Sequence, residues 1–270
     1  MYKNITFKIK DNIGILTLNR KKVLNAWNKE MRFEICDVFK NIKKQKDIKA
    51  LIITGSGRKA FCSGQDLNEL KNFKENQVDA WIEEFKKVYS SIRSAKIPII
   101  GAINGVAAGS GFQLALLTDI RVSHKKAKFG QVEINSGVVS IIGPWIIEKV
   151  LGLSKTIELC LTGRLVMGKE AYNLGVIHHL TKREKVMQLS LKIAKELSNI
   201  WIETCGPSTL SGIKYLVDHG LSDRILFGSD MPVMDCRQQI ARIITTDISE
   251  EDKKKILGLN AMKLLNLNPI

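Results

Sequence analysis

Cysteine is scarce and shows no pairing pattern. Cys36, Cys62, Cys160, Cys205 and Cys236 are scattered without a CxxC spacing. A disulfide framework and a cysteine-built zinc site are therefore not expected, and reduced thiols in a cytoplasmic setting are. The four histidines give no metal-ligand spacing either: His124, His178 and His179 stand apart or directly adjacent, and adjacent side chains on a regular element point to different faces. No apolar run reaches the length of a membrane span. The opening MYKNITFKIKDNIGIL alternates like a strand and lacks the apolar core of a signal peptide. No internal repeat and no low-complexity segment is visible.

What is present is a soluble, globular composition, 44% apolar and 26% charged over 270 residues, enough for one large domain or two smaller ones. The net charge of +15 is unevenly spread. Residues 201–270 hold 8 basic and 9 acidic side chains, whereas residues 1–200 hold 34 and 18. Such a break suggests two pieces of different origin. The lysines follow helical surface patterns without interleaved aromatics, so nucleic acid is not an expected partner, and a basic surface also suits a phosphate-bearing ligand.

Periodicity predicts strands at Ile5–Lys10, Ile13–Asn19, Ala50–Thr54, Ile97–Ile103, Asp119–Ser123, Lys128–Phe129 and Val176–Leu180. Helices are predicted at Lys29–Lys44, Val78–Ser94, Pro144–Val150, Ser154–Leu161 and Lys169–Leu174. This alternation implies an α/β fold with its ligand beyond strand C-termini.

Two glycine-rich loops follow such strands. In INGVAAGSGFQLALL, Gly109-Ser110-Gly111 opens an apolar helix. Unpaired amides and the positive end of the helix dipole meet there, with no P-loop lysine to hold a nucleotide phosphate. In Ala60–Leu67, read as a loop with Cys62 as a small loop residue, Gly64 can turn the following amide outward. The Gln65 and Ser110 amides are placed to converge on one carbonyl oxygen and to stabilise an enolate formed from a thioester. On spacing alone, two structural turns in an α/β core remain the stronger reading. Asp66 is expected to cap the next helix, and Asp119 to bond nearby backbone.

Together LNRKKVLNAW, KAFCSGQDL, INGVAAGSGFQLALLTDIR, AKFGQVEINSG and LGLSKTIELCLTGR resemble the crotonase (enoyl-CoA hydratase/isomerase) superfamily, from about Asn19 to Ser198. The resemblance implies a crotonase-like spiral of ββα repeats acting on an acyl-CoA thioester held by the Gln65 and Ser110 amides. Val23, Leu24, Ala60, Ser63, Gln65, Asp66, Leu67 and Asn68 would line the CoA-binding region. Coenzyme A would enter only as part of the substrate, with no separate cofactor and no metal. The two hydratase glutamates fall at Gln113, which is not an acid, and at Glu133, which is kept. Glutamine orients water but takes no proton, while a 1,3-proton shift needs only one carboxylate. Glu133 alone thus fits an isomerase at least as well as a hydratase. Thioester hydrolysis or decarboxylation, and an inactive acyl-CoA-binding protein, are the alternatives. A homotrimer or hexamer is the family expectation.

Residues 200–270 depart from that pattern, so the expected domains are 1–199 and an atypical α/β tail. Strands are predicted at Ile200–Thr204 and Arg224–Phe227, and helices at Ser211–Val217, Cys236–Thr245 and after Ser249. DRILFGSDMP and SEEDKKKILGLNAMKLL resemble the end of an amidohydrolase-family barrel, with Asp230 at the position of that family's last-strand aspartate. A quarter of a barrel cannot build that site, and Asp230 is expected to be a relic or local structural residue.

Overall fold

The computed structural model describes residues 2–45, 47–71, 74–198, 201–204, 210–229, 231 and 235–267. The chain divides into two compact units, Met1–Ser198 and Asn199–Ile270.

In the first unit, β1 (Ile5–Lys10) and β2 (Ile13–Leu18) form an antiparallel hairpin in the register Ile5 to Leu18. Strand β3 (Ala50–Gly55) adds in parallel to β2, and β5 (Ile99–Ala102), β7 (Ile120–His124) and β10 (His179–Thr181) follow in the order β1-β2-β3-β5-β7-β10. Every residue of β3 is buried, as expected for a strand covered on both faces. Leu51 and Ile53 pack with Met31, Ile35, Val38 and Phe39 of α1 (Lys29–Ile42) and with Phe85, Val88 and Ile92 of α3 (Val78–Arg93). Ala50 and Ile52 face the other way, toward Val186, Ile193 and Ala194 of α7 (Val186–Ser198).

The second sheet consists of short strands, β4 (Ala60–Cys62), β6 (Val106–Ala108), β8 (Lys128–Gly130) and β9 (Val166–Met167), in that spatial order. Strand pairs β3/β4, β5/β6 and β7/β8 each place their first member in the large sheet and their second in the small one. A helix follows each pair: α2 (Leu67–Leu70) with α3, then α4 (Ser110–Leu117), then α5 (Gly143–Thr162). This is the expected spiral of ββα turns.

Two local readings change, at Cys62 and at the start of β10. Cys62 lies in β4, not in a loop, and is fully buried. The two helices read at 144–150 and 154–161 are present within the span α5 and are separated by a kink at Gly152, where φ is 73° and non-helical. Strand β10 begins only at His179, because the Val176 and Ile177 amides donate back to the Ala171 carbonyl in the turn after α6 (Gly168–Asn173). Among the described residues no helix is long and apolar enough to cross a membrane.

The second unit pairs β11 (Ile202–Glu203) in parallel with β12 (Ile225–Leu226). Helices α8 (Leu210–Asp218) and α9 (Cys236–Thr245) and a final helical segment from Glu250 to Leu265, capped by Ser249, surround Ile213, Ile225, Ile243 and Ile256. Asp230 lies outside the described residues.

All eight residues of α4 are buried, and Gly111 is the point of closest approach to β4. A Cβ there would collide with the Cys62 carbonyl oxygen and lie 2.9 Å from the Cys62 side chain. Gly111→Ala is expected to lower stability by about 2–3 kcal/mol, read as a shift of the urea midpoint.

Candidate active site

Two residues beyond β4 comes Gly64, whose φ of 101° is open only to glycine at low cost. Its carbonyl accepts from the Trp27 amide at 3.0 Å, and the Asp66 amide donates to the Trp27 carbonyl at 3.1 Å. Gln65 is thereby stitched beside Trp27 as an isolated parallel bridge, while its own N–H donates to no described residue. Its side chain is held away: Oε1 accepts from Arg32 at 3.0 Å, and Nε2 donates to Glu69. What Gln65 offers outward is its amide.

Strand β6 runs into the second turn at Gly109 (φ 55°), the N-cap of α4. The Gly109 amide donates to the Gly130 carbonyl at 2.9 Å, and its carbonyl accepts from Phe112 and Gln113. Ser110 follows as the first helical residue, and its N–H is one of the donors a helix start leaves unpaired. Its Oγ accepts from Trp27 Nε1 at 2.6 Å. The two turns touch: a Cβ on Gly64 would lie 2.8 Å from the Ala108 oxygen and 3.4 Å from the Ser110 nitrogen.

Gln65, Ser110, Gln113 and Glu133 line one narrow cavity of about 60 Å³, closed by Trp81, Phe85 and the apolar side chains of Val138–Ile142. Glu133 begins the short 3-10 turn Glu133–Ser136 after β8, and its carboxylate sits over Gly109, where a Cβ would be 3.2 Å from Oε1. Oε1 accepts from Gln131 Nε2 at 2.6 Å, whereas the buried Oε2 has no partner among the described residues. Burial pushes the Glu133 carboxyl above the usual range, against the pull of its own amide and that of Val132. Gln113 is buried, and its Oε1 accepts from the Tyr89 hydroxyl at 2.6 Å. Burial raises the Tyr89 phenol far enough to keep it a neutral donor, and Cys62 and Glu133 add to that shift. The free end of Gln113, Nε2, faces the start of α5, within 2.6 Å of where a Gly143 Cβ would fall.

The remaining sequence-derived positions flank the Gly64 turn rather than this cavity. Val23, Leu24, Leu67 and Asn68 are exposed; Ser63 is half-buried and donates to the Leu24 and Val23 carbonyls. Ala60 is buried, its carbonyl taken by Asn25 and Asn104. Asp66 caps α2 through the Asn68 amide at 3.0 Å and pairs with Arg20 at 2.7 Å. Burial alone would raise its pKa, but Arg20 and the Asn68 amide outweigh this and hold it low. Asp119 accepts from the Ile99 amide at 2.8 Å. Burial pushes the Cys62 thiol up to about 12, so it is no nucleophile at neutral pH. Among the described residues no three His, Cys, Asp or Glu side chains gather as a metal site.

Sequence reasoning passed over Trp27, Arg32, Tyr89, Gln131 and Ser140. Arg32 had a readable signal, since it is a charge on the apolar stripe of α1 and only 2% exposed. It forks between Glu69 and Glu84 at 3.0 and 2.7 Å and lies over the Phe85 ring. It thereby ties α1, α2 and α3 together behind Gln65. Arg32→Leu is expected to cost about 2 kcal/mol in chemical denaturation, below the full buried-pair figure because both glutamates keep some solvent.

Comparison with known proteins gives the same picture. The family described as enoyl-CoA hydratase/isomerase matches residues 8–205, and the amidohydrolase family matches residues 175–267. A crotonyl-CoA hydratase of Syntrophomonas wolfei is 30% identical over 194 residues, covering 72% of this chain and 75% of that protein. A short-chain-enoyl-CoA hydratase of Clostridium acetobutylicum is 27% identical over 72% of this chain and 75% of that one. The crystal structure of an enoyl-CoA hydratase from Mycobacterium smegmatis shares the fold at a TM-score of 0.74 and 19% identity, covering 99% of this chain and 98% of its own. The chain belongs to the enoyl-CoA hydratase/isomerase family and is an enzyme of that type.

Proposed function

We propose that the protein moves a proton along an enoyl-CoA thioester, converting a 3-enoyl-CoA to the conjugated 2-enoyl-CoA, with Glu133 as the only carboxylate at the reacting carbons. The observation that carries this is the Glu133 carboxylate itself: it is packed on Gly109 with Oε2 unpartnered, in the cavity that Gln65 and Ser110 also line. In this reading the thioester oxygen accepts from the Gln65 and Ser110 amides. Glu133 takes a proton from C2, the charge moves onto that oxygen as a dienolate, and the protonated Glu133 returns the proton at C4. Each amide donor supports the developing charge by about 3 kcal/mol.

Gln113 favours this over hydration. It sits where a second acid would act, with Oε1 engaged by Tyr89, and has no proton to exchange. Val23, Leu24, Ala60, Ser63, Asp66, Leu67 and Asn68 would carry the coenzyme A moiety along the Gly64 turn. The exposed apolar side chains Trp145, Leu153, Ile157 and Leu161 on α5 support self-association as a trimer or hexamer. The tail is read as an amidohydrolase-derived unit without a catalytic centre of its own, and the cytoplasm as the site of action.

Glu133→Gln is expected to cut turnover of a 3-enoyl-CoA roughly 10³-fold while coenzyme A binding by calorimetry stays within twofold. Because the folded-state pKa lies above the unfolded one, the native state holds the extra proton between the two values. Stability therefore falls as pH rises through that interval, and the charged form burdens the fold at neutral pH. The glutamine variant should accordingly be no less stable at neutral pH than the parent. The acid limb of kcat/KM for the parent should lie above the ordinary carboxylate range. Turnover surviving in Glu133→Gln would remove the assignment.

Gln113→Glu restores a second carboxylate. It is expected to raise hydration of crotonyl-CoA at least tenfold relative to isomerisation, read at the loss of enoyl absorbance. A parent enzyme that already hydrates crotonyl-CoA faster than it isomerises would favour the Gln113-oriented water instead.

A further inference from the structure

Away from the cavity at Glu133, the turns between the two sheets enclose a second, open concavity of about 700 Å³ in the first unit. Its wall carries Arg58 from the β3–β4 turn, His124 from the end of β7, Lys125 and Lys126 from the β7–β8 turn, and Lys182 and Arg183 from the segment after β10. Glu184 is the only acid in the lining, and it is engaged by Arg58 at 3.3 Å. Among the described residues no carboxylate pairs with Lys125, Lys126, Lys182 or Arg183.

The Arg183 contact identifies what is lacking. Its Nε lies 3.3 Å from His124 Nε2. That same Nε2 lies 3.1 Å from the Asn104 carbonyl, while Nδ1 accepts from the Lys126 amide at 3.2 Å. A carbonyl can only accept and an amide only donate, so Nε2 carries the proton and Nδ1 the lone pair. Arg183 therefore points a donor at another donor. Three lysines and a donor-facing guanidinium share one concavity whose single carboxylate is taken up by Arg58, where low-dielectric walls focus the field. Guanidinium and ammonium groups together match phosphate oxygens. The volume is in the range of small-molecule sites. No Phe, Tyr or Trp lines it to stack bases, and the cations surround a hollow instead of tracking a stripe, which disfavours a nucleic-acid strand.

We propose that this concavity binds an oligophosphate anion, free or carried by a nucleotide. It shares no residue with the positions assigned to acyl-CoA and does not depend on that assignment.

The test uses the full chain with inorganic tripolyphosphate and, separately, ATP, titrated by calorimetry at low salt. Saturable binding is expected. It should weaken at least tenfold in Lys125→Glu/Lys182→Glu, whose side chains are exposed and whose exchange leaves the fold intact by thermal melting. Lys8→Glu/Lys10→Glu on exposed β1 positions should weaken it less than twofold. Tighter binding of ATP assigns the site to nucleotides, and equal binding to the phosphate chain itself. Absence of saturable binding, equal loss in the β1 control, or binding of a single-stranded oligonucleotide in place of tripolyphosphate overturns the inference. So does a tenfold weaker affinity for coenzyme A in the concavity variant, since the cations would then belong to the acyl-CoA site.

Discussion

The cavity depends on how closely two backbone turns can meet. Gly64 and Gly109 each adopt positive φ, and no Cβ separates the Gly64 turn from the Ala108 carbonyl or the Gly109 turn from the Glu133 carboxylate. A Cβ at Gly64 would collide with the Ala108 carbonyl, and one at Gly109 would crowd the Glu133 carboxylate. With both absent, the Gln65 amide, the first turn of α4 and a buried carboxylate come to one narrow space. The amides are donors that cannot rotate away, which is what preorganised charge stabilisation requires.

The rest of the first unit holds these turns still. Each follows a short strand of the small sheet, and those strands, β4 and β6, pair with each other in parallel. Trp27 braces both turns at once, through the backbone bridge to Gln65 and its indole N–H on Ser110 Oγ. Arg32, itself held by Glu69 and Glu84, engages the Gln65 side chain, while the Gln65 amide donates to no described residue. Against this support stands a cost: Glu133 is kept where water cannot fully solvate its charge. A fold that places a carboxylate there gives up stability for basicity.

Much of this was legible in the chain. Ala50–Thr54 read as a buried strand and Ile97–Ile103 as a strand because β-branched runs lead into glycine turns, and the turns at Gly64 and Gly109 announced themselves by composition. The small sheet did not. Ala60–Cys62 and Val106–Ala108 are three-residue strands with no alternation to see, and they exist through the pairing of β4 with β6 and of β6 with β8. The spiral repeats in geometry without repeating in sequence, since each turn buries a different set of side chains. Helix α7 has a clear apolar face at Val186, Ile193 and Ala194 but was passed over for the motifs upstream. Gln113 lines the cavity beside Glu133, and its bond to Tyr89 joins residues 24 apart and has no local signal.

The central claim is that a thioester oxygen rests on the Gln65 and Ser110 amides while Glu133 faces the adjacent carbons. A crystal structure with a saturated acyl-CoA bound tests it most directly. The oxygen is predicted within hydrogen-bonding distance of both amide nitrogens, with a Glu133 oxygen in contact with C2. An oxygen bonded elsewhere, or a Glu133 carboxylate turned out of the cavity in the bound state, would contradict it.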